Sequence, residues 1–109
     1  MKGLAKRRRN APEKRVQRAI MHDLWMLGFH VSSFSQPFRA AMTAGVPDLF
    51  AAHRRYGQLW IECKAGKNDL TPDQRIWHAN AKAAGVDVIV ARSMDDVLGH
   101  LRAKGFRFE

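Results

Sequence analysis

VPDLFAAHRRYGQLWIECK, residues 46–64, decides the fold. Two largely apolar runs, residues 46–52 and 58–64, flank His53-Arg54-Arg55-Tyr56-Gly57, a basic connection closed by a glycine. Runs of this length, rich in branched and aromatic side chains, predict strands, and a short glycine-ended connection predicts that they pair as an antiparallel hairpin. With the turn centred on Arg55, Asp48 comes to lie opposite Glu62. Side chains alternate along a strand, so Asp48, Glu62 and Lys64 share one face while Leu59, Ile61 and Cys63 point to the core.

Two carboxylates facing each other across a strand pair cost a few tenths to about 1 kcal/mol, so a purely structural hairpin gains nothing from them. A cation between them would offset the repulsion, and an oxygen-only site suits a hard divalent ion, Mg2+ or Mn2+. Lys64, one step along the same face, is suited to orient an attacking water or to stabilise charge developing on a phosphate.

Outward from the hairpin, helix signals flank both sides. Asn10, Pro12 and Glu13 form a helix start, and positions 13, 16, 20, 24 and 27 make one stripe that ends at Gly28. Residues 29–34 alternate as a short strand, and residues 35–44 have no period and are expected to be a loop. Thr71, Pro72 and Gln74 start a second helix closed by Gly85. A strand follows at 86–91, and a right-handed crossover would lay it parallel to 58–64. Ser93 is the expected cap of a last helix carrying Val97, Leu98 and Leu101. The expected fold class is α/β, a small mixed β-sheet flanked by helices. Trp25, Trp60 and Trp77 are expected in the core, with Trp60 able to border the cleft because it shares the face of Glu62.

The chain of 109 residues, 46% of them apolar, is the size of one domain, taken as residues 10–109 behind a basic flexible arm at 1–9. No apolar run approaches the roughly 20 residues of a membrane span, which predicts an intracellular protein. A single cysteine excludes an internal disulfide framework and a Cys-rich zinc site. The net charge of +9 predicts a polyanionic partner, nucleic acid first among the candidates. Arg7, Arg8, Arg9, Lys14, Arg54, Arg55 and Lys67 are the candidate phosphate contacts.

Gly45-Val46-Pro47-Asp48-Leu49, Trp60-Ile61-Glu62-Cys63-Lys64 and Leu70-Thr71-Pro72-Asp73-Gln74, in that order, resemble the PD-(D/E)xK nuclease superfamily and, within it, the VRR-NUC family. The likeness covers about residues 13–97. It implies a restriction-endonuclease-like core and a Mg2+- or Mn2+-dependent endonuclease acting on DNA, often branched or flap-containing. Small domains of this kind resemble those carried by phages and prophages. On this resemblance Asp48 and Glu62 are metal ligands, the Cys63 carbonyl a third, and Lys64 the catalytic lysine. Glu13 matches the acid of the family's first helix, a further catalytic and metal-binding candidate, and Gln74 the glutamine that follows the Glu-x-Lys motif. Helix capping alone would also account for Glu13 and Gln74. Symmetric cutting of a junction would need a homodimer. The rival expectation is a basic domain that binds nucleic acid without cutting it.

Overall fold

The computed structural model describes the backbone of residues 2–34 and 43–108 and the side chains of residues 11–34 and 43–108. Its elements run α1 (Lys2–Met26), β1 (His30–Ser33), β2 (Leu49–His53), β3 (Gly57–Cys63), α2 (Pro72–Ala83), β4 (Val88–Ala91) and α3 (Met94–Ala103). The strands form one sheet in the order β1-β2-β3-β4. The first three are antiparallel to their neighbours, and β4 runs parallel to β3. The α/β fold class, the hairpin and the crossover are therefore as expected. Most of the loop expected at 35–44 lies outside the described residues.

The hairpin has Leu49 opposite Ile61, Phe50 opposite Trp60 and His53 opposite Gly57, the register of a turn centred on Arg55. His53 fixes that turn, its Nδ1 accepting the Arg55 N–H at 2.9 Å. Alternation puts Leu59, Ile61 and Cys63 on one face of β3, where they pack with Ile20 and Leu24 of α1 and Val97 and Leu101 of α3. The other face is covered by α2 and by rings: Trp60 lies 5.4 Å from Trp77, 5.0 Å from Phe50 and 5.5 Å from Phe34. Two asymmetric layers result, an apolar one and one that ends in polar groups.

Helix α1 begins at Lys2, well ahead of the start expected at Asn10, and contains Pro12 in its interior. Lys, Arg, Ala and Leu, which dominate the first residues, are strong helix formers, and their summed propensity extends the helix outward. Asn10 is thus helical rather than a cap. Ser93 stands at the cap position of α3 without a side-chain cap bond. Asp96 in the first turn instead ties down the residue before the cap, its Oδ2 accepting the Arg92 N–H at 2.7 Å. Trp25 also departs from expectation: it is 56% exposed, because Leu24 next to it takes the buried stripe and a helix turns successive side chains about 100° apart. No helix among the described residues is long and apolar enough to cross a membrane.

These neighbours make a direct test. Leu24→Ala should destabilise the fold by about 2–5 kcal/mol. Trp25→Ala should stay within about 0.5 kcal/mol of wild type in urea unfolding, as surface positions do.

Candidate active site

The candidate cluster begins with how Asp48 is held. Its carbonyl accepts the Phe34 N–H at 2.9 Å, continuing the β1–β2 ladder by one step. Its side chain turns the other way, where Oδ2 accepts the Cys63 N–H at 2.9 Å. Asp48 thus precedes β2 and hooks onto β3, and the register carries it alongside Glu62. Both carboxylates are buried, Asp48 at 8% and Glu62 at 2% exposure. On the far side, Glu62 pairs with Val90 and the Lys64 N–H donates to the Ala91 carbonyl at 3.1 Å. Adjacent ladders therefore fix all three motif residues at one end of the sheet.

Gly45 explains the turn before Asp48. Its φ is +88°, a left-handed conformation that disfavours any Cβ. A Cβ there would also sit 2.3 Å from the Asp73 carbonyl oxygen and 2.9 Å from the Gln74 nitrogen. The loop that delivers Asp48 is pressed onto the backbone at the start of α2, and only glycine permits that approach. Thr71 caps this helix in a full capping box: its hydroxyl accepts the Gln74 N–H at 3.2 Å, and Gln74 Oε1 accepts the Thr71 N–H at 2.9 Å. Gln74 is nonetheless buried, with its amide nitrogen not used by the cap. The capping reading of Gln74 holds: its oxygen serves the helix, and the side chain is buried.

Glu13 does not cap α1, which begins well ahead of it at Lys2. Its Oε1 accepts from Asn68 Nδ2 at 3.1 Å and stands 4.0 Å from the Lys64 ammonium nitrogen. That ammonium is almost wholly buried, its side chain only 7% exposed. Taking an ammonium out of water is costly without a compensating charge, and Glu13 supplies it from the end of the α1 stripe.

Three polar residues of this region were not singled out from the sequence. Gln17, one turn beyond Glu13, is buried and donates from Nε2 to Ser33 Oγ at 2.9 Å. Its place four residues after Glu13 was the available signal. Asn68 carries no pattern that would have revealed it. His78, one turn beyond Gln74, is buried, and its Nε2 has no hydrogen-bond partner among the described residues. Desolvation, with the charges of Lys82 and Lys64, holds its pKa below the ordinary histidine value.

The donor set favours a hard cation. The Cys63 side chain packs in the apolar core on the face away from the carboxylates, where burial, followed by the charges of Asp48, Glu62 and Glu13, pushes its thiol well above its usual range. What remains is oxygen: two carboxylates and the Cys63 carbonyl. Among the described residues no three His, Cys, Asp or Glu side chains converge on one point. The set fits an ion that keeps several waters, as magnesium does.

Lys14 and Lys67 are exposed at this end of the molecule, next to Glu13 and just beyond Lys64. Arg54 and Arg55 are not brought here: they occupy the β2–β3 turn at the opposite end of the strands. The side chains of Arg7, Arg8 and Arg9 lie outside the described residues.

Comparisons with known proteins agree with this fold. The chain matches the model of the VRR-NUC domain over residues 7–95. It is similar to a solved structure titled VRR_NUC domain, at 25% identity and a TM-score of 0.69, over 87% of this chain and 98% of that one. No curated protein sequence gives a significant match.

Two outcomes follow from the site's construction. Gly45→Ala combines left-handed strain with a backbone clash and should cost about 2 kcal/mol or more. Gly57→Ala, with φ +81° but open space around the added methyl, should cost about 1 kcal/mol in the same urea unfolding series. His78 should titrate by NMR below 6.5. The unfolded chain then binds more protons than the native one as pH falls through 6.5, so stability declines there until the folded value is passed, and His78→Gln should flatten that decline.

Proposed function

The chain belongs to the VRR-NUC family, a family of nuclease domains, and from that premise we propose that it is a divalent-metal-dependent endonuclease that hydrolyses phosphodiester bonds in DNA, with selectivity for branched substrates. The observation that carries this reading is the buried Asp48–Glu62 pair at the strand ends, with the Lys64 ammonium beside it and Glu13 behind the lysine.

Asp48, Glu62 and the Cys63 carbonyl are the oxygen donors for Mg2+ or Mn2+. When bound, such an ion lowers the pKa of a coordinated water and takes up charge on the phosphoryl oxygens. The Cys63 N–H holds Asp48 in place through Oδ2, fixing how its carboxylate faces the ion. Lys64 meets the charge that develops on the phosphate, and its burial strengthens that interaction because little water screens it. Glu13, 4.0 Å from the ammonium nitrogen, offsets its charge and aims it. Gln74, its oxygen held by the Thr71 cap, is a further amide donor to the substrate. Lys14 and Lys67 receive the flanking phosphates, contacts that position DNA without reading its bases. Cutting a junction symmetrically requires two copies of this centre, and the same proposal therefore includes a two-fold dimer.

Cleavage of a labelled four-way junction, duplex and single strand tests the proposal. Wild type should cut only with Mg2+ or Mn2+ and stop with EDTA. Glu62→Gln should bind DNA but cut at least about 10²–10³-fold more slowly, the loss typical of a removed charge-stabilising group. Independently of activity, Mn2+ should raise the melting temperature of wild type and not of Glu62→Gln, since a ligand stabilises only the state that binds it. DNA binding by wild type with no cutting of any substrate would sink the enzymatic reading and leave a non-catalytic binding domain.

A further inference from the structure

The end of the molecule away from Glu62 carries a second constellation that the reaction does not use. There the β2–β3 turn meets the segment that follows α3. Tyr56 lies 5.0 Å from Phe106 and 4.9 Å from Phe108, ring centre to ring centre. It is backed by His53 at 4.5 Å and Phe29 at 5.8 Å. Guanidinium groups sit over these rings, Arg55 over Tyr56 and Arg102 over Phe108, each at 5.9 Å. A cavity of about 540 Å³ opens here, lined by Arg102, Gly105, Phe106, Arg107 and Phe108.

The charge at this end is unmatched. Asp87, the carboxylate near the start of β4, is occupied by Lys104 at 2.6 Å and His100 at 2.8 Å. Arg54, Arg55, Arg102 and Arg107 are exposed and have no acidic partner among the described residues. Guanidinium groups held beside ring faces, without carboxylates to neutralise them, are suited to a ligand that offers both phosphates and flat bases. Along β3, six residues separate Tyr56 from Glu62, roughly 20 Å at about 3.3 Å per residue. The surface is thus too far away to take part in the chemistry, yet near enough for one strand to reach both. Phe106, Arg107 and Phe108 also lie beyond residues 7–95, the part that matches the VRR-NUC model.

We propose that this surface, built on Arg55, Tyr56, Arg102, Phe106, Arg107 and Phe108, is a second nucleic-acid site that holds an unpaired stretch of the substrate roughly 20 Å from Glu62. The inference rests on nucleic acid being the substrate. Single-stranded rather than duplex DNA is the occupant because Phe106 and Phe108, packed on Tyr56, line an open cavity that a splayed base can enter, whereas paired bases expose only their edges.

Fluorescence anisotropy on labelled single strands and duplex, titrated across salt, tests it with Arg102→Gln/Arg107→Gln and with Phe108→Leu, alongside steady-state cleavage. The double variant should bind single strands about tenfold more weakly and lower the slope of log affinity against log salt by about 1.4, two contacts at about 0.7 each. Phe108→Leu should weaken binding by a similar factor with the slope unchanged, since stacking releases no counterions. Both should raise KM for substrates with a single-stranded extension and leave kcat unaltered. Equal single-strand affinities and slopes in wild type and double variant, or a loss confined to duplex, would overturn the proposal. If the anisotropy changes appear but wild type cuts nothing, the second site stands and the nuclease reading fails.

Discussion

Everything at the reactive end depends on holding two carboxylates, Asp48 and Glu62, side by side and out of water. Such a pair repels itself and loses hydration together, and the surrounding structure is arranged to offset both. The Cys63 N–H is donated to one carboxylate. Two ladders, antiparallel on one side and parallel on the other, fix the backbone on which the pair stands. The buried ammonium of Lys64 brings the opposite charge, and Glu13 reaches from α1 to balance the lysine in turn. A layer of buried polar groups, Gln17, Gln74 and His78 among them, continues outward from this centre. Such a layer would be hard to account for in a domain selected only for a stable core.

The same constraint shapes the loops. Asp48 can hook onto β3 only if the chain before it turns sharply against α2, and Gly45 makes that approach with its φ of +88° and its missing Cβ. The α2 start is itself rigid because Thr71 and Gln74 satisfy each other's backbone groups. The glycine of the first motif and the capped helix of the third are thus parts of one contact, although 28 positions separate Gly45 from Asp73. Trp60 and Trp77 extend that contact along the sheet face, so α2 covers the face that carries Glu62 as well as making the crossover connection.

The molecule is polarised along β3. One end buries charge in a polar layer, and the other displays arginines around a cluster of rings. The hydrophobic layer between α1, α3 and the core face of the sheet separates the two and keeps their spacing constant. On the proposed readings of the two ends, a fixed span between them would turn two weak contacts on one polymer into one stronger one.

From the sequence by itself came the strand register, the parallel crossover, the shared face of Asp48, Glu62 and Lys64, and the core stripe at Ile20 and Leu24. Each follows from periodicity or turn chemistry within a few neighbouring residues, where backbone geometry leaves few choices. Tertiary structure alone decided the rest. Glu13 passed from a capping candidate to the partner of Lys64 and Asn68, because the contact spans fifty-five positions and no local pattern records it. His78 and Gln17 became buried polar neighbours of the site only when α2 and α1 were laid against the sheet. Trp25 was expected inward and lies outward, since hydrophobicity names a preference whereas the phase of the helix assigns the face. Arg54 and Arg55 were grouped by charge with the lysines of the cleft and stand at the opposite end, because charge carries no direction until the strands between are measured out.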